Sequence, residues 1–166
     1  MSTFNPDWGC HTTSPFCGDQ LIGPAAFGDI DLHDQYGVEA EARWLHWHGY
    51  APGLYENNYL IGPRDRVLRW HCQLTWIKLE MGGGWIQTPG YPAAGTLKGS
   101  YFAFVPGVTI EYRLSRNLSV RGDYEYQIWP SFVGPPTVSG GTLAQHASGL
   151  TPNGFTFGVA WRVLGR

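Results

Sequence analysis

The chain has 166 residues and a formal net charge of −2, enough for one domain and without the basic excess that would draw it to nucleic acid. Aromatic residues make up 15% and charged residues only 14% of it, beside 23 glycines and 12 prolines; so little charge suits a protein whose outside faces something other than water. No apolar run approaches the roughly 18 residues of a transmembrane helix, so a membrane-spanning form of this chain would have to be a closed β-barrel.

Residues 1–24 show no periodicity and are punctuated by Pro6, Gly9, Pro15, Gly18, Gly23 and Pro24, which reads as a loop-like N-terminal segment ahead of a barrel domain over 25–166. The opening Met1-Ser2-Thr3-Phe4-Asn5-Pro6 has neither a basic region nor an apolar core, so it is not a signal peptide. Cys10 and Cys17 could close a small loop disulfide in an oxidising compartment, or stand as two unpaired thiols; Cys72 is left over. Cys10-His11 lacks the repeated spacing of a zinc site, and neither a metal nor a cofactor is expected.

Strands follow by their period of two. Ala25–His33 places Phe27, Asp29 and Asp31 on one face and Ile30 and Leu32 on the other. Across a turn at Asp34–Gly37, Val38–Trp44 sets Val38, Ala40, Ala42 and Trp44 against Glu39, Glu41 and Arg43. A loop over Gly49–Glu56 precedes a strand over about Asn57–Leu68, weakened by Pro63 and carrying Arg64 and Arg66 on one face. A short connection near Trp70-His71 leads to Leu74–Trp85, where Ile77, Leu79 and Met81 oppose Trp76, Lys78 and Glu80. Its Gly82-Gly83-Gly84 run makes room for large side chains crossing a barrel interior.

Gln87–Gly99 reads as a long loop, and Ser100–Arg113 as the longest strand, with Thr109, Glu111 and Arg113 opposite Val108, Ile110 and Tyr112. Leu118–Ile128 alternates apolar residues with Ser119, Arg121, Asp123, Glu125 and Gln127, and Pro130–Asn153 is a Gly/Pro/Ser/Thr-rich loop. The last strand runs Phe155, Phe157, Val159, Trp161 and Val163 against Thr156, Gly158, Ala160 and Arg162.

Seven strands are identifiable in an expected all-β, antiparallel, up-and-down transmembrane barrel of about eight. Connections alternate short (near Gln35, His71, Arg116) and long (near Pro52, Gly90, Gly140), the segregation of periplasmic turns from external loops in outer-membrane barrels. Aromatics gather near strand ends (Trp44, Trp47, Tyr50, Tyr55, Trp70, Trp85, Tyr101, Tyr112, Trp129) as interfacial girdles would. The opposite faces then line the lumen with Glu39, Glu41, Arg43, Arg64, Arg66, Lys78, Glu80, Glu111, Arg113, Arg121, Asp123 and Glu125. An eight-stranded interior is only wide enough for side chains to fill, so this set is expected to pair into a plug.

The carboxylate pairs Glu39/Glu41 and Asp123/Glu125 are compatible with acid–base chemistry, and His46/His48 with a metal, but lumen charges and a strand-end role are the plainer readings. No nucleophile elbow or phosphate loop occurs, and no enzymatic activity is expected.

Tyr112-Arg113-Leu114-Ser115-Arg116-Asn117-Leu118-Ser119-Val120-Arg121 resembles a periplasmic hairpin of the small OmpA-type outer-membrane β-barrels, and Leu150–Val163 resembles that family's closing strand. Thr156, Gly158, Trp161 and Val163 are similar to the carboxy-terminal signal read by the barrel-assembly machinery, although the chain ends Val163-Leu164-Gly165-Arg166 rather than on an aromatic. The resemblance covers about residues 25–163. It implies a Gram-negative outer-membrane protein with a structural, surface-interaction or narrow-pore (porin-like) role, contacts with outer-membrane lipid and, during biogenesis, the assembly machinery. Family barrels of this size have eight strands, so the chain is expected to lack its signal peptide and first strand. Met1–Pro24 would then be mostly the first external loop, and the strand from Ala25 would face the closing strand across unpaired edges, an invitation to oligomerise. Two alternatives remain: a soluble lipocalin-like barrel with an apolar lumen for a small ligand, and a lipid-modifying enzyme with a Ser/His pair at its rim.

Overall fold

The computed structural model describes residues 1–7, 20–47, 53–91, 95–133, 137–139, 142–144 and 149–163. Its strands are β1 (Ser2–Asn5), β2 (Leu21–Gly23), β3 (Ala25–Asp31), β4 (Tyr36–Trp47), β5 (Tyr55–Trp70), β6 (Gln73–Tyr91), β7 (Gly95–Arg113), β8 (Leu118–Tyr126), β9 (Thr137–Ser139), β10 (Thr142–Ala144) and β11 (Asn153–Trp161). Nine of them form one antiparallel sheet in the order β2-β1-β11-β8-β7-β6-β5-β4-β3, and a further β2–β4 pairing closes it into a ring. β9 and β10 make a separate small hairpin.

β2 and β3 meet β4 in one unbroken register, from Leu21↔Trp47 to Asp31↔Gly37. They are one strand interrupted at Pro24, which has no N–H to give but whose carbonyl still accepts from Trp44 N at 3.1 Å. The ring therefore has eight strand positions.

This corrects the expected N-terminus. Two pieces of the segment 1–24 are strand, and Ser2–Asn5 sits between β11 and β2, with Ser2↔Thr156 on one side and Ser2↔Gly23 on the other. The alternation of Ser2 and Phe4, both buried, with Thr3 and Asn5 is four residues long, too short for a sequence period to register. The closing strand has a partner, but a brief one. Beyond Met1, among the described residues, β3 pairs with β4 and the far half of β11 with β8.

Residues 87–99 also depart from the expected loop. β6 and β7 are each 19 residues long and continue to Tyr91↔Gly95. Thr88 and Pro89 are absorbed in a bulge, where the register shifts between Gln87 and Gly90. Pro63 is tolerated within β5 because the β5–β6 ladder skips from Ile61↔Met81 to Arg64↔Lys78. The Pro130–Asn153 loop contains the β9–β10 hairpin. Cys10, Cys17, His48 and Tyr50 lie outside the described residues, and Cys72 is free and exposed in the His71-Cys72 turn.

The interior has two zones. Towards the long connections, Leu60, Ile86, Ala103, Val105, Trp129, Phe132 and Leu150 pack into an apolar plug, with Phe4, Leu21 and Leu45 beside it. Trp129, expected in an outer girdle, is instead fully buried here, its indole N–H donating to Gln127 Oε1 at 2.8 Å. Tyr101 packs on the same cluster rather than outside. Room for the indole comes from Gly84, where a Cβ would stand 2.4 Å from the Trp129 ring and 2.6 Å from Asn58 Oδ1. Gly84→Val is expected to overpack this zone, costing about 1–3 kcal/mol. The measurement is the urea unfolding midpoint together with a red shift of tryptophan emission; an unchanged midpoint would contradict the packing.

Candidate functional site

The second zone is charged and lies between the plug and the short turns. Inward positions of β4 carry Glu39, Glu41 and Arg43; β5 carries Arg64; β6 carries Lys78 and Glu80; β8 carries Arg121, Asp123 and Glu125. All nine are buried. Their backbones are held by continuous ladders, so period two alone decides that they meet inside the ring.

Lys78 Nζ is the centre. It lies 2.8 Å from Glu39 Oε1, 3.1 Å from Glu41 Oε2, 2.5 Å from Glu125 Oε1, 3.4 Å from Glu80 Oε2 and 3.5 Å from Asp123 Oδ1. Gly107, opposite Lys78 on β7, leaves space for this meeting: a Cβ there would stand 2.9 Å from Glu125 Cγ and 3.0 Å from Lys78 Cε.

The arginines extend the network both ways. Arg43 Nε donates to Glu41 Oε1 at 2.7 Å, its Nη2 donates to Glu125, and its guanidinium lies 4.6 Å from the Phe4 ring centroid. Arg121 donates to Asp123 Oδ2 at 2.8 Å and to Glu39, and reaches Asp29 at 3.3 Å. Arg64 Nη1 is 2.8 Å from Asp29 Oδ2, and Nη2 donates to Asp31 Oδ1 at 2.5 Å. Its guanidinium lies 4.3 Å from the ring centroid of the buried Trp76, a cation–π contact. Thr109 Oγ1 donates to Asp123 Oδ1 at 2.5 Å.

Of the twelve charges assigned to the lumen, nine therefore come together. Arg66, Glu111 and Arg113 sit nearer the short turns: Glu111 accepts from Ser119 Oγ at 2.6 Å, and Arg66 stands 5.6 Å from the Trp76 ring. Asp29 and Asp31 belong to the network although the sequence reading left them out; their alternation with Gly28 and Ile30 carried the signal. Glu56 and Asn58 were missed too, buried and bonded to each other at 2.8 Å: Glu56 lies before the strand drawn from Asn57, and Asn58, inside it, carries no charge to mark the lumen face.

The carboxylates of Glu39, Glu41 and Glu80 approach within 4.8 Å of one another, a metal-like spacing. The ammonium of Lys78 takes the position a metal would need. The carboxylate pairs considered for acid–base work, Glu39/Glu41 and Asp123/Glu125, are held in the same ion network. His46 is exposed near the end of β4, its ring 6.4 Å from that of Tyr55.

Outside the ring the pattern inverts. Ile61, Ile77, Leu79, Met81, Phe102, Phe104, Val108, Ile110, Val120 and Tyr124 are all exposed. Trp44, Tyr59 and Trp85 form an outer aromatic group, with Trp44 Nε1 donating to Tyr59 Oη at 3.0 Å and edge-on rings at 6.1 and 5.3 Å. Of the residues compared with an assembly signal, Thr156 is buried against Ser2 (Oγ···Oγ1 2.7 Å), Gly158 faces inward, and Trp161 and Val163 are exposed. Comparison with protein families, curated proteins and solved structures finds no match for this chain.

Removing Lys78 takes from Glu80 its only ion-pair partner among the described residues and leaves Glu39, Glu41, Asp123 and Glu125 to the arginines alone, in a buried site. Lys78→Met is expected to destabilise the barrel by about 3–5 kcal/mol, read from urea unfolding in detergent. Lys78→Met/Glu125→Gln should recover part of that loss. A single-variant cost below about 1 kcal/mol would mean the ammonium is not the centre of the network.

Proposed function

We propose that this chain is a bacterial outer-membrane β-barrel with a structural and surface-interaction role, closed to solute flow. The carrying observation is the inversion just described: charged side chains fully buried within the ring and a continuous apolar and aromatic belt on its outside. In water this arrangement buries ions and exposes grease, at a cost on both counts. In lipid both faces are matched, and the closed ring leaves few backbone groups unsatisfied.

The eight ring positions and antiparallel neighbours support kinship with the small OmpA-type barrels, as do the two- to four-residue connections at one end. A soluble ligand-binding barrel fits poorly, because its lumen would be apolar throughout, whereas here ions fill the centre. The interior also argues against a pore. The ion network and the apolar plug lie in series across the lumen, so a hydrated solute meets first one and then the other. The surface role rests on the end bearing the longer connections, where the last β6–β7 rungs reach beyond the last β5–β6 rung, Tyr55↔Gln87.

Two measurements test this. The folded protein is expected in the detergent-soluble membrane fraction, with gel mobility that shifts on boiling and no stepwise conductance in planar bilayers. Val108→Arg, on the outer face opposite Ile77 and Tyr124, should cost about 2–4 kcal/mol in lipid vesicles. A monomer soluble without detergent, in which Val108→Arg is neutral, would defeat the reading.

A further inference from the structure

Three strands that run towards the short turns end on the same two residue types. β5 closes on Arg69-Trp70, β7 on Tyr112-Arg113, and β11 on Trp161, which Arg162 follows. In each pair the aromatic residue points outward: Trp70, Tyr112 and Trp161 are 65%, 50% and 66% exposed. Its neighbour in the chain then points into the mouth of the ring. Arg69 stands opposite the buried Leu74, and Arg113 opposite the buried Ser119. Arg162 continues the inward alternation of Thr156, Gly158 and Ala160. Arg66, opposite the buried Trp76 and 5.6 Å from its ring, lies one step deeper.

The charge balance of the ion network is reversed at this mouth. Arg113 stands within electrostatic reach of three like charges, Arg162, Arg69 and Arg66, and of one carboxylate, Glu111. Glu111 accepts a hydrogen bond from Ser119 Oγ at 2.6 Å. Asp65, beside Arg66, is on the other face of β5, opposite Ile77, and Asp31 at the end of β3 is bonded to Arg64. Among the described residues none of the four arginines is in an ion pair. Arg113 Nε is buried and has no hydrogen-bond partner. Guanidinium groups gathered in this way repel one another, and each offers a planar fork of donors that matches the oxygens of a phosphate.

We propose that this arginine-lined mouth binds the phosphate of an anionic phospholipid from the leaflet at the short-turn end. The three aromatic residues favour a lipid over a free anion. Trp and Tyr rings settle at the level of the headgroups, so Arg69, Arg113 and Arg162 each lie one residue from a side chain that marks that level. Their long side chains reach over the strand ends towards it. The acyl chains would lie along the outer belt and the headgroup would fold over the rim onto the guanidinium groups. Net negative charge selects the lipid, because a zwitterionic headgroup brings a cation of its own to a mouth that already holds too many. The inference rests on the membrane reading, since it takes the outer belt to face lipid.

The probes are short-chain phosphatidylglycerol, phosphatidylcholine with the same chains, and inorganic phosphate. Each is titrated onto the full chain in non-ionic detergent micelles while the Arg113 Nε–H resonance is followed by NMR. Phosphatidylglycerol is expected to move that resonance saturably and to bind at least tenfold more tightly than either of the others. Arg113→Gln/Arg162→Gln, followed at Arg69, should weaken phosphatidylglycerol tenfold or more. Because it removes two charges that repel each other, it should leave the urea unfolding midpoint unchanged or higher, which a purely structural role for these arginines would not give. Arg116→Gln, in the exposed turn after β7, should bind as the native chain does. The proposal is overturned by equal binding of the two lipids, by inorganic phosphate binding as tightly as phosphatidylglycerol, or by a double variant that binds undiminished. None of these results alters detergent extraction or the gel mobility shift, so the proposal and the membrane reading fail separately.

Discussion

One ammonium group sets the terms for the rest of the molecule. Lys78 reaches carboxylates on β4, on its own β6 and on β8, strands on different sides of the ring, so a single cation ties the walls together through the middle. Burying it is tolerable only because its partners are numerous and close. Sliding any contributing strand by one residue would turn its charges into the outer belt and bring apolar side chains into their place. The network is therefore as much a specification of register as a source of stability. The glycine facing it on β7 is part of the same design, since a larger residue would part Lys78 from Glu125.

Carboxylates outnumber cations in this zone. Asp29, Asp31, Glu39, Glu41, Glu80, Asp123 and Glu125 surround Arg43, Arg64, Lys78 and Arg121, so every cation is shared. The arginines spend their remaining faces on aromatic rings, Arg43 on Phe4, Arg64 on Trp76 and Arg121 on Phe27. Phe4 belongs at the same time to the cluster with Leu21 and Leu45, so there the charged zone and the apolar one share a ring. Polar and apolar layers thus alternate along the lumen as they do across the wall.

Much of this was legible in the sequence, for a physical reason: a strand with two unlike faces writes its burial pattern at every second residue. Glu39-x-Glu41-x-Arg43 and Arg121-x-Asp123-x-Glu125 declare one shared face each, and the ring needs only correct pairing to bring them together. What stayed hidden depends on contacts rather than period. Four residues of β1 carry too short a pattern, and Pro24 disguises β2 and β3 as loop and strand. The Pro/Gly-rich 87–99 stretch concealed the ends of two strands, because a bulge can absorb what looks like a loop. Trp129 looked like a girdle residue by its place at a strand end. Only the space left by Gly84 shows that it turns inward. Nor can alternation alone say whether the apolar face meets a core or lipid, which is why fold and cellular role were not equally readable.

The uneven reach of the pairings also orders how the ring can form. From β3 to β8 each strand follows its neighbour through a turn or a hairpin, so these contacts close small loops and can form early. The β1–β11 seam joins Ser2 to Thr156, nearly the whole given chain apart. Its pairing is the least local in the sheet, so it follows the hairpins that bring its two sides together.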